Sequence, residues 1–125
     1  MIKQIEKVGV IGAGTMGAGI AGQVANAGTE VWLLDLPSDG ENVNSLSAKG
    51  LERLKDPDMP GLMSVEAEKL IRLGNTRDDF HQLEDCDWVA EAVVERLDIK
   101  QALYHQLNDV CKDTTIITSN TSTIP

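Results

Sequence analysis

Three glycines in the run Gly12–Gly17 (GAGTMG) have the spacing GxGxxG and directly follow a short apolar stretch. Gly12 permits a tight turn, Gly14 has no Cβ to keep a ligand away from the backbone, and Gly17 lets a helix lie close to the preceding strand. The other loop positions belong to the same candidate site: Ala13, Thr15 and Met16. Free amides and the positive end of a helix at such a turn bind anions, so the run predicts a site for a dinucleotide pyrophosphate.

An acidic residue, Asp35, lies 21 residues after Gly14 at the end of a second apolar run. A carboxylate at that position accepts hydrogen bonds from the ribose hydroxyls of the adenosine half. It would repel a 2′-phosphate, and the next two residues, Leu36 and Pro37, supply no arginine for one. The predicted cofactor is therefore NAD rather than NADP. FAD and S-adenosylmethionine domains share parts of this pattern, and a glycine turn without a ligand is the plainer alternative.

The hydrophobic periodicity around this motif predicts a strand, a helix and a second strand. Lys7–Gly12 is almost continuously apolar, as in a buried parallel strand. Thr15–Ala27 has apolar residues at helical spacing, and Glu30–Asp35 is again apolar. This is the size of one right-handed crossover unit.

The middle of the chain is less regular. Asn42–Lys55 has a polar helical pattern, which the prolines and glycine of 56–62 interrupt. Ser64 is a candidate N-cap for a helix that runs to about Arg72, and a third strand is expected near Ile71–Thr76.

Two further strands and one amphipathic helix complete the pattern. The strands are predicted at Asp87–Val93 and Thr115–Thr118, with the helix Leu97–Cys111 between them. The residues expected along one face of that helix are Leu97, Gln101, Tyr104, Leu107 and Cys111. Alternating strands and helices predict an α/β fold, a Rossmann-type doubly wound parallel sheet, forming one domain over residues 1–125.

Composition narrows the possible partners. The 11 Lys and Arg against 20 Asp and Glu give a formal charge of −9, which disfavours nucleic acid and anionic membranes as partners. Cys86 and Cys111 form no metal-ligand motif, so they are expected to be reduced thiols in a cytoplasmic protein, with no bound metal.

Three segments, in this order, resemble the amino-terminal domain of the 3-hydroxyacyl-CoA dehydrogenases of fatty acid β-oxidation. They are VGVIGAGTMGAGIAGQVANAGTEVWLLD, then Glu91–Leu103 (EAVVERLDIKQAL), and finally Ser119–Ser122 (SNTS). The resemblance implies NAD-dependent oxidation of a 3-hydroxyacyl-CoA to the 3-ketoacyl-CoA by a homo-oligomeric enzyme.

The resemblance also implies roles for residues outside the glycine motif. Glu95 would contact the nicotinamide side of NAD, with Lys100 also near the cofactor, and Ser122 would hydrogen-bond the substrate oxygen beside the nicotinamide. Without the resemblance, Lys100 is better interpreted as a surface lysine, and SNTS as a polar turn. Asn120 is expected to shape its loop.

The family's general base is a histidine in a glycine–leucine–histidine–phenylalanine segment after the SNTS loop. The sequence given ends at Pro125, so the resemblance implies that these residues belong to a longer enzyme and are inactive alone. His81 and His105 match nothing in that motif and are expected to be ordinary surface or helix-face residues.

The region 41–63 would, by resemblance, help to bind coenzyme A. Its cations are Lys49, Arg53 and Lys55, with Asp56 and Asp58 beside them. Two rival functions stay open: a dehydrogenase of free hydroxy acids, and a non-catalytic module that binds NAD to report redox state.

Overall fold

The computed structural model describes residues 5–57, 61–62, 64–93 and 97–119. Its strands are β1 (Lys7–Ile11), β2 (Glu30–Asp35), β3 (Ile71–Asn75), β4 (Trp88–Glu91) and β5 (Ile116–Ser119). Its helices are α1 (Thr15–Asn26), α2 (Ser45–Leu54), α3 (Val65–Lys69) and α4 (Leu97–Val110), with a 3₁₀ helix at Phe80–Asp85. Within these residues the strands form one parallel sheet in the order β3-β2-β1-β4-β5.

The predicted doubly wound sheet is therefore confirmed, with β1 at its centre. From β1 the chain winds outward through β2 to β3, returns to the other side of β1, and continues from β4 to β5. The direction of winding reverses between β1 and β4, and ligands of open α/β sheets bind in the crevice outside the strand ends at such a point.

Alternation along the strands gives the sheet two apolar faces. One face packs under α1, α2 and α3; its strand residues are Val8, Val10, Val31, Leu33, Ile71 and Ala90. The other face packs under α4 and the 3₁₀ helix; its strand residues are Ile11, Leu34 and Val89. Small alanines of α1, among them Ala18, Ala21 and Ala25, let that helix lie close to the sheet. This agrees with a core built mainly from small and branched side chains.

The element boundaries differ from the sequence expectations for identifiable reasons. Ser64 is the N-cap of α3, since its side chain accepts a hydrogen bond of 3.1 Å from the Ala67 amide. That helix is shorter than expected because β3 already begins at Ile71 and pairs with Val31 of β2. The 3₁₀ helix was not predicted, although its Phe80 and Leu83 are buried.

The expected face of α4 was partly wrong. Leu107 is buried as expected and Tyr104 is half-buried, but Gln101 is exposed and Leu103 is buried in its place. Leu103 and Leu107 are four residues apart and so share one side of the helix, where they pack against the sheet.

Candidate dinucleotide site

The glycine loop (Gly12–Gly17) begins in a tight turn between two neighbouring strand ends. Gly12 has φ of +106°, a backbone conformation that other residues rarely adopt. Its amide donates to the Leu34 carbonyl at 2.7 Å, and a Cβ at this position would lie 2.6 Å from the Ala92 carbonyl oxygen. The turn is therefore fixed against the residues that end β2 and follow β4.

The other two glycines of the loop serve different purposes. A Cβ on Gly17 would overlap the Gly12 carbonyl oxygen, so this glycine is required by the close packing of α1 on the turn. A Cβ on Gly14 would meet nothing within 4 Å. Among the described residues no contact requires glycine at position 14, and the open space before it suits a ligand that approaches the backbone.

The amino terminus of α1 is suited to an anion. Gly14 is the N-cap and provides no side-chain cap, and the first turn contains no acidic residue. The Ala18 amide bonds to the Gly14 carbonyl at 2.9 Å, so the preceding amides, those of Thr15, Met16 and Gly17, have no acceptor within the helix. These donors and the helix dipole fit the pyrophosphate of a dinucleotide.

Asp35 is linked directly to the glycine loop. Its Oδ2 accepts a hydrogen bond of 2.7 Å from the Ala13 amide, and its Oδ1 accepts one of 2.7 Å from the Leu36 amide. Each carboxylate oxygen can accept further hydrogen bonds. The carboxylate thus lies beside the loop at the carboxyl end of β2, where the sequence places the ribose contact.

A cavity of about 200 Å³ lies at the same edge of the sheet. Its lining residues come from four strand ends and from α4: Ile11, Leu36, Thr76, Val93, Ala102, Leu103 and Gln106. None of them was predicted from the sequence as a site residue. Four of them, Ile11, Leu36, Thr76 and Val93, lie at or just after strand ends, and this position is the sequence signal that could have found them.

The loop after β3 is held by a buried amide. Asn75 is 1% exposed. Its side-chain Nδ2 donates to the Asn44 Oδ1 at 2.8 Å, and its backbone N–H donates to the Asp79 Oδ2 at 2.9 Å. The next amide, that of Thr76, donates to the Asp35 carbonyl at 3.0 Å. These bonds fix one wall of the cavity relative to both α2 and Asp35.

On the other side of β1, Glu91 ends β4 with its side chain fully buried. It pairs in register with Ser119 of β5, whose Oγ lies 3.4 Å from the Glu91 Oε2. The sequence analysis cited Glu91 only as the first residue of a family-like segment. In the structure its contact with Ser119 links the ends of β4 and β5. In the sequence, Glu95 follows β4 and Ser122 follows β5.

Three of the predicted site residues have side chains that the structure does not describe. Glu95 and Ser122 lie outside the described residues, as does Asn120. Lys100 lies in the first half of α4, within a stretch whose side chains the structure does not describe. Their roles beside the nicotinamide remain predictions.

The three cations expected to bind coenzyme A do not share one environment. The Arg53 Nη1 donates to the Ala13 carbonyl at 2.7 Å, so this side chain is directed to the glycine loop. The Lys55 Nζ is 3.7 Å from the Glu68 Oε1, whereas Lys49 is exposed. The sequence analysis did not anticipate the contact between Arg53 and the loop.

Cys86 and Asp87 are titratable residues outside the glycine loop. Burial raises the pKa of the Cys86 thiol to about 12, so this cysteine is an unreactive core residue. Hydrogen bonds from the Glu6 amide and from Lys112 lower the pKa of Asp87 to about 2. His81 and His105 are exposed, as expected.

Within the described residues, no group of His, Cys, Asp and Glu could hold a metal ion, and no helix is long and apolar enough to cross a bilayer.

Together, the reversal of winding at β1 and β4, the glycine loop and the Asp35 carboxylate define a dinucleotide-binding domain of the Rossmann class. The sequence matches a family model described as "3-hydroxyacyl-CoA dehydrogenase, NAD binding domain" over residues 7–125. The chain belongs to this family, whose cofactor is NAD.

Individual relatives agree with this assignment. A probable 3-hydroxyacyl-CoA dehydrogenase of Deinococcus radiodurans is 46% identical over 98% of the chain, which covers 36% of that protein. A putative fatty acid oxidation complex trifunctional enzyme of Rickettsia felis is 40% identical over 100% of the chain and 18% of its own length. The crystal structure of 3-hydroxybutyryl-CoA dehydrogenase from Escherichia coli superposes with a TM-score of 0.77 at 35% identity, covering 98% of this chain and 26% of that one. The chain thus spans well under half the length of each of these relatives.

Proposed function

We propose that the protein containing this chain oxidises 3-hydroxyacyl-CoA to 3-ketoacyl-CoA with NAD, and that these residues form its dinucleotide-binding part. The dinucleotide-binding part of this proposal rests on the direct bond between the Asp35 carboxylate and the Ala13 amide, and the substrate rests on the family match. The bond supports the proposal because the carboxylate proposed as the ribose acceptor lies beside the loop amides proposed as pyrophosphate donors, where the winding of the sheet reverses.

In this proposal each part of the described site binds one part of the cofactor. The amides at the start of α1 hold the pyrophosphate, and Asp35 accepts hydrogen bonds from the adenosine ribose. The aliphatic cavity that contains Ile11, Leu36 and Val93 encloses the adenine ring. When bound, NAD supplies the hydride acceptor of the reaction.

The residues at the reacting centre are proposed from the family resemblance. Glu95 lies near the nicotinamide, Lys100 lies near the cofactor, and Ser122 orients the substrate oxygen. A serine hydroxyl can donate to a forming carbonyl or accept from the alcohol, so it suits orientation better than proton removal. The general base is a histidine of the family's glycine–leucine–histidine–phenylalanine segment, which these 125 residues do not contain.

We also propose that the protein is cytoplasmic, and that it forms homo-oligomers as the family resemblance implies. Support for a reducing compartment comes from Cys86 and Cys111, both of which are free thiols.

The test uses the polypeptide at the length its gene encodes. NADH should bind at least about tenfold more tightly than NADPH, because a 2′-phosphate would face the Asp35 carboxylate. Turnover should require a 3-hydroxyacyl-CoA and should be far slower with the corresponding free 3-hydroxy acid. Equal turnover of both substrates would favour a hydroxy acid dehydrogenase, whereas tight NADH binding without any turnover would favour a redox-sensing module.

A further inference from the structure

Arg53 contacts the glycine loop in a way that neither the motif nor the proposed function explains. Its Nη1 lies 2.7 Å from the Ala13 carbonyl oxygen, although the two residues are 40 positions apart in the chain. Because the Ala13 amide donates to Asp35, both polar groups of this residue are held by side chains from other elements. We propose that Arg53 is a positioning residue that sets the orientation of the Ala13–Gly14 peptide for pyrophosphate binding; this rests on the proposed function.

The approach of α2 makes this contact possible. Gly50 precedes Arg53 by three positions, so the two residues share one side of the helix. A Cβ on Gly50 would lie 2.8 Å from both the Cβ and the carbonyl oxygen of Ala13. The helix backbone therefore packs directly on the glycine loop, and Arg53 lies within reach of a loop carbonyl.

The contact between Arg53 and the Ala13 carbonyl also determines the direction of the Gly14 N–H. In a trans peptide the carbonyl oxygen and the following N–H point in opposite directions, and the described residues contain no cis peptide bond. With the Ala13 carbonyl directed to Arg53 on α2, the Gly14 N–H is directed away from α2. This amide lies directly before the open first turn of α1, where it can join the donors that face the anion.

Without the hydrogen bond from Arg53, the Ala13–Gly14 peptide could adopt a second orientation. Gly14 tolerates a wide range of backbone dihedrals, so rotation of the Ala13–Gly14 peptide is sterically cheap. A rotated peptide would present its carbonyl oxygen to the pyrophosphate and replace an attraction with a repulsion. Arg53 favours the orientation with the donor outward, and its positive charge stabilises a nearby anion in a chain of formal charge −9.

The test compares Arg53→Met, Arg53→Lys and the control Arg72→Met. Arg72 of the edge strand β3 is bonded to Glu30 at the start of β2, so its replacement removes the same charge away from the loop. Three ligands are titrated into the polypeptide at its encoded length: NADH, ADP-ribose and adenosine. Adenosine has no pyrophosphate, so its affinity reports on the rest of the site.

Arg53→Met should weaken NADH and ADP-ribose about tenfold, through loss of one charge-assisted hydrogen bond, and change adenosine affinity less than about twofold. Arg53→Lys, which keeps a charged donor, should recover part of the loss, and Arg72→Met should bind all three ligands like the wild type. Equal weakening of all three ligands by Arg53→Met, or none beyond that of Arg72→Met, would overturn the positioning role while leaving the proposed function intact. A wild-type protein that binds neither NADH nor ADP-ribose would overturn both.

Discussion

Gly14→Ala should separate dinucleotide binding from stability, because the structure shows no internal reason for glycine at this position. The backbone of Gly14 has φ of −70° and ψ of −169°, which alanine adopts without strain. An added Cβ would meet nothing within 4 Å. The methyl group would instead occupy the space through which the pyrophosphate approaches the loop amides.

The expected effects on stability nearly cancel. Replacing glycine with alanine reduces the entropy of the unfolded chain, a gain of about 0.4–1 kcal/mol. Alanine is a poorer N-cap than glycine by a similar amount, about 0.5–1 kcal/mol. The free energy of unfolding should thus change by less than about 1 kcal/mol. The affinity for NADH should fall much further. The loss of about two hydrogen bonds to a charged group, at roughly 1.5–3 kcal/mol each, corresponds to more than about a hundredfold in affinity.

Two other glycines serve as controls for this experiment. Gly19 lies in α1 and also has nothing within 4 Å of its Cβ position, so Gly19→Ala should bind NADH normally and be slightly more stable, by up to about 1 kcal/mol. Gly17→Ala should lose at least about 3 kcal/mol of stability, because its Cβ would overlap the Gly12 carbonyl oxygen. Calorimetric titration with NADH and urea denaturation measure both quantities.

The reasoning would be refuted by a Gly14→Ala variant that binds NADH within about threefold of the wild type, since a methyl group in the approach path must weaken the contact. A large loss of stability in this variant would refute it in another way. It would show that position 14 is packed, contrary to the open space found there.

Three further predictions concern charge and protonation. Asp35→Asn should reduce the preference for NADH over NADPH about ten- to hundredfold in paired titrations, because the carboxylate that repels a 2′-phosphate becomes neutral; an unchanged ratio would place the ribose elsewhere. The pKa of Asp87 is lowered to about 2 in the folded protein, so the stability this group contributes is present above its unfolded pKa of about 4 and is lost as the pH falls toward 2. Acid unfolding curves of Asp87→Asn should therefore be less steep over that range than those of the wild type, and identical curves would contradict the assignment. At pH 8 a thiol reagent should label Cys111 well before Cys86, whose pKa is about 12, and early labelling of Cys86 would show that it is not buried.

The sequence predicted the fold well because its strongest signals are local. The glycine loop, the apolar runs of β1 and β2 and the Ser64 cap each depend on residues a few positions apart, and each is found within one or two residues of its expected place. The parallel, doubly wound sheet followed from the alternation of strands and helices. The weaker patterns gave larger errors, as in α4, where Gln101 was expected on the packed face although Leu103 occupies it.

Much of the site was not predictable because it is assembled from distant segments. The cavity at the sheet edge combines residues of four strand ends with α4, and these lining residues are spread from Ile11 to Gln106. The bond from Arg53 to Ala13 depends on the distance at which α2 packs, which is set by Gly50 and not by any motif. For the same reason, Arg53 could not be distinguished in the sequence from Lys49 and Lys55, the other two cations expected to bind coenzyme A.

The position of β1 at the centre of the sheet has a consequence for the order of folding. β1 pairs with β2 across a separation of 23 residues, between Lys7 and Glu30, but with β4 across 80, between Val8 and Trp88. Closing the longer loop costs about 1 kcal/mol more in chain entropy, so the β1–β4 contact is expected to form later than the β1–β2 unit. The glycine loop would then fold before the far wall of its crevice exists. Pulse-labelling hydrogen exchange during refolding should accordingly protect the amides of β2 before those of β4.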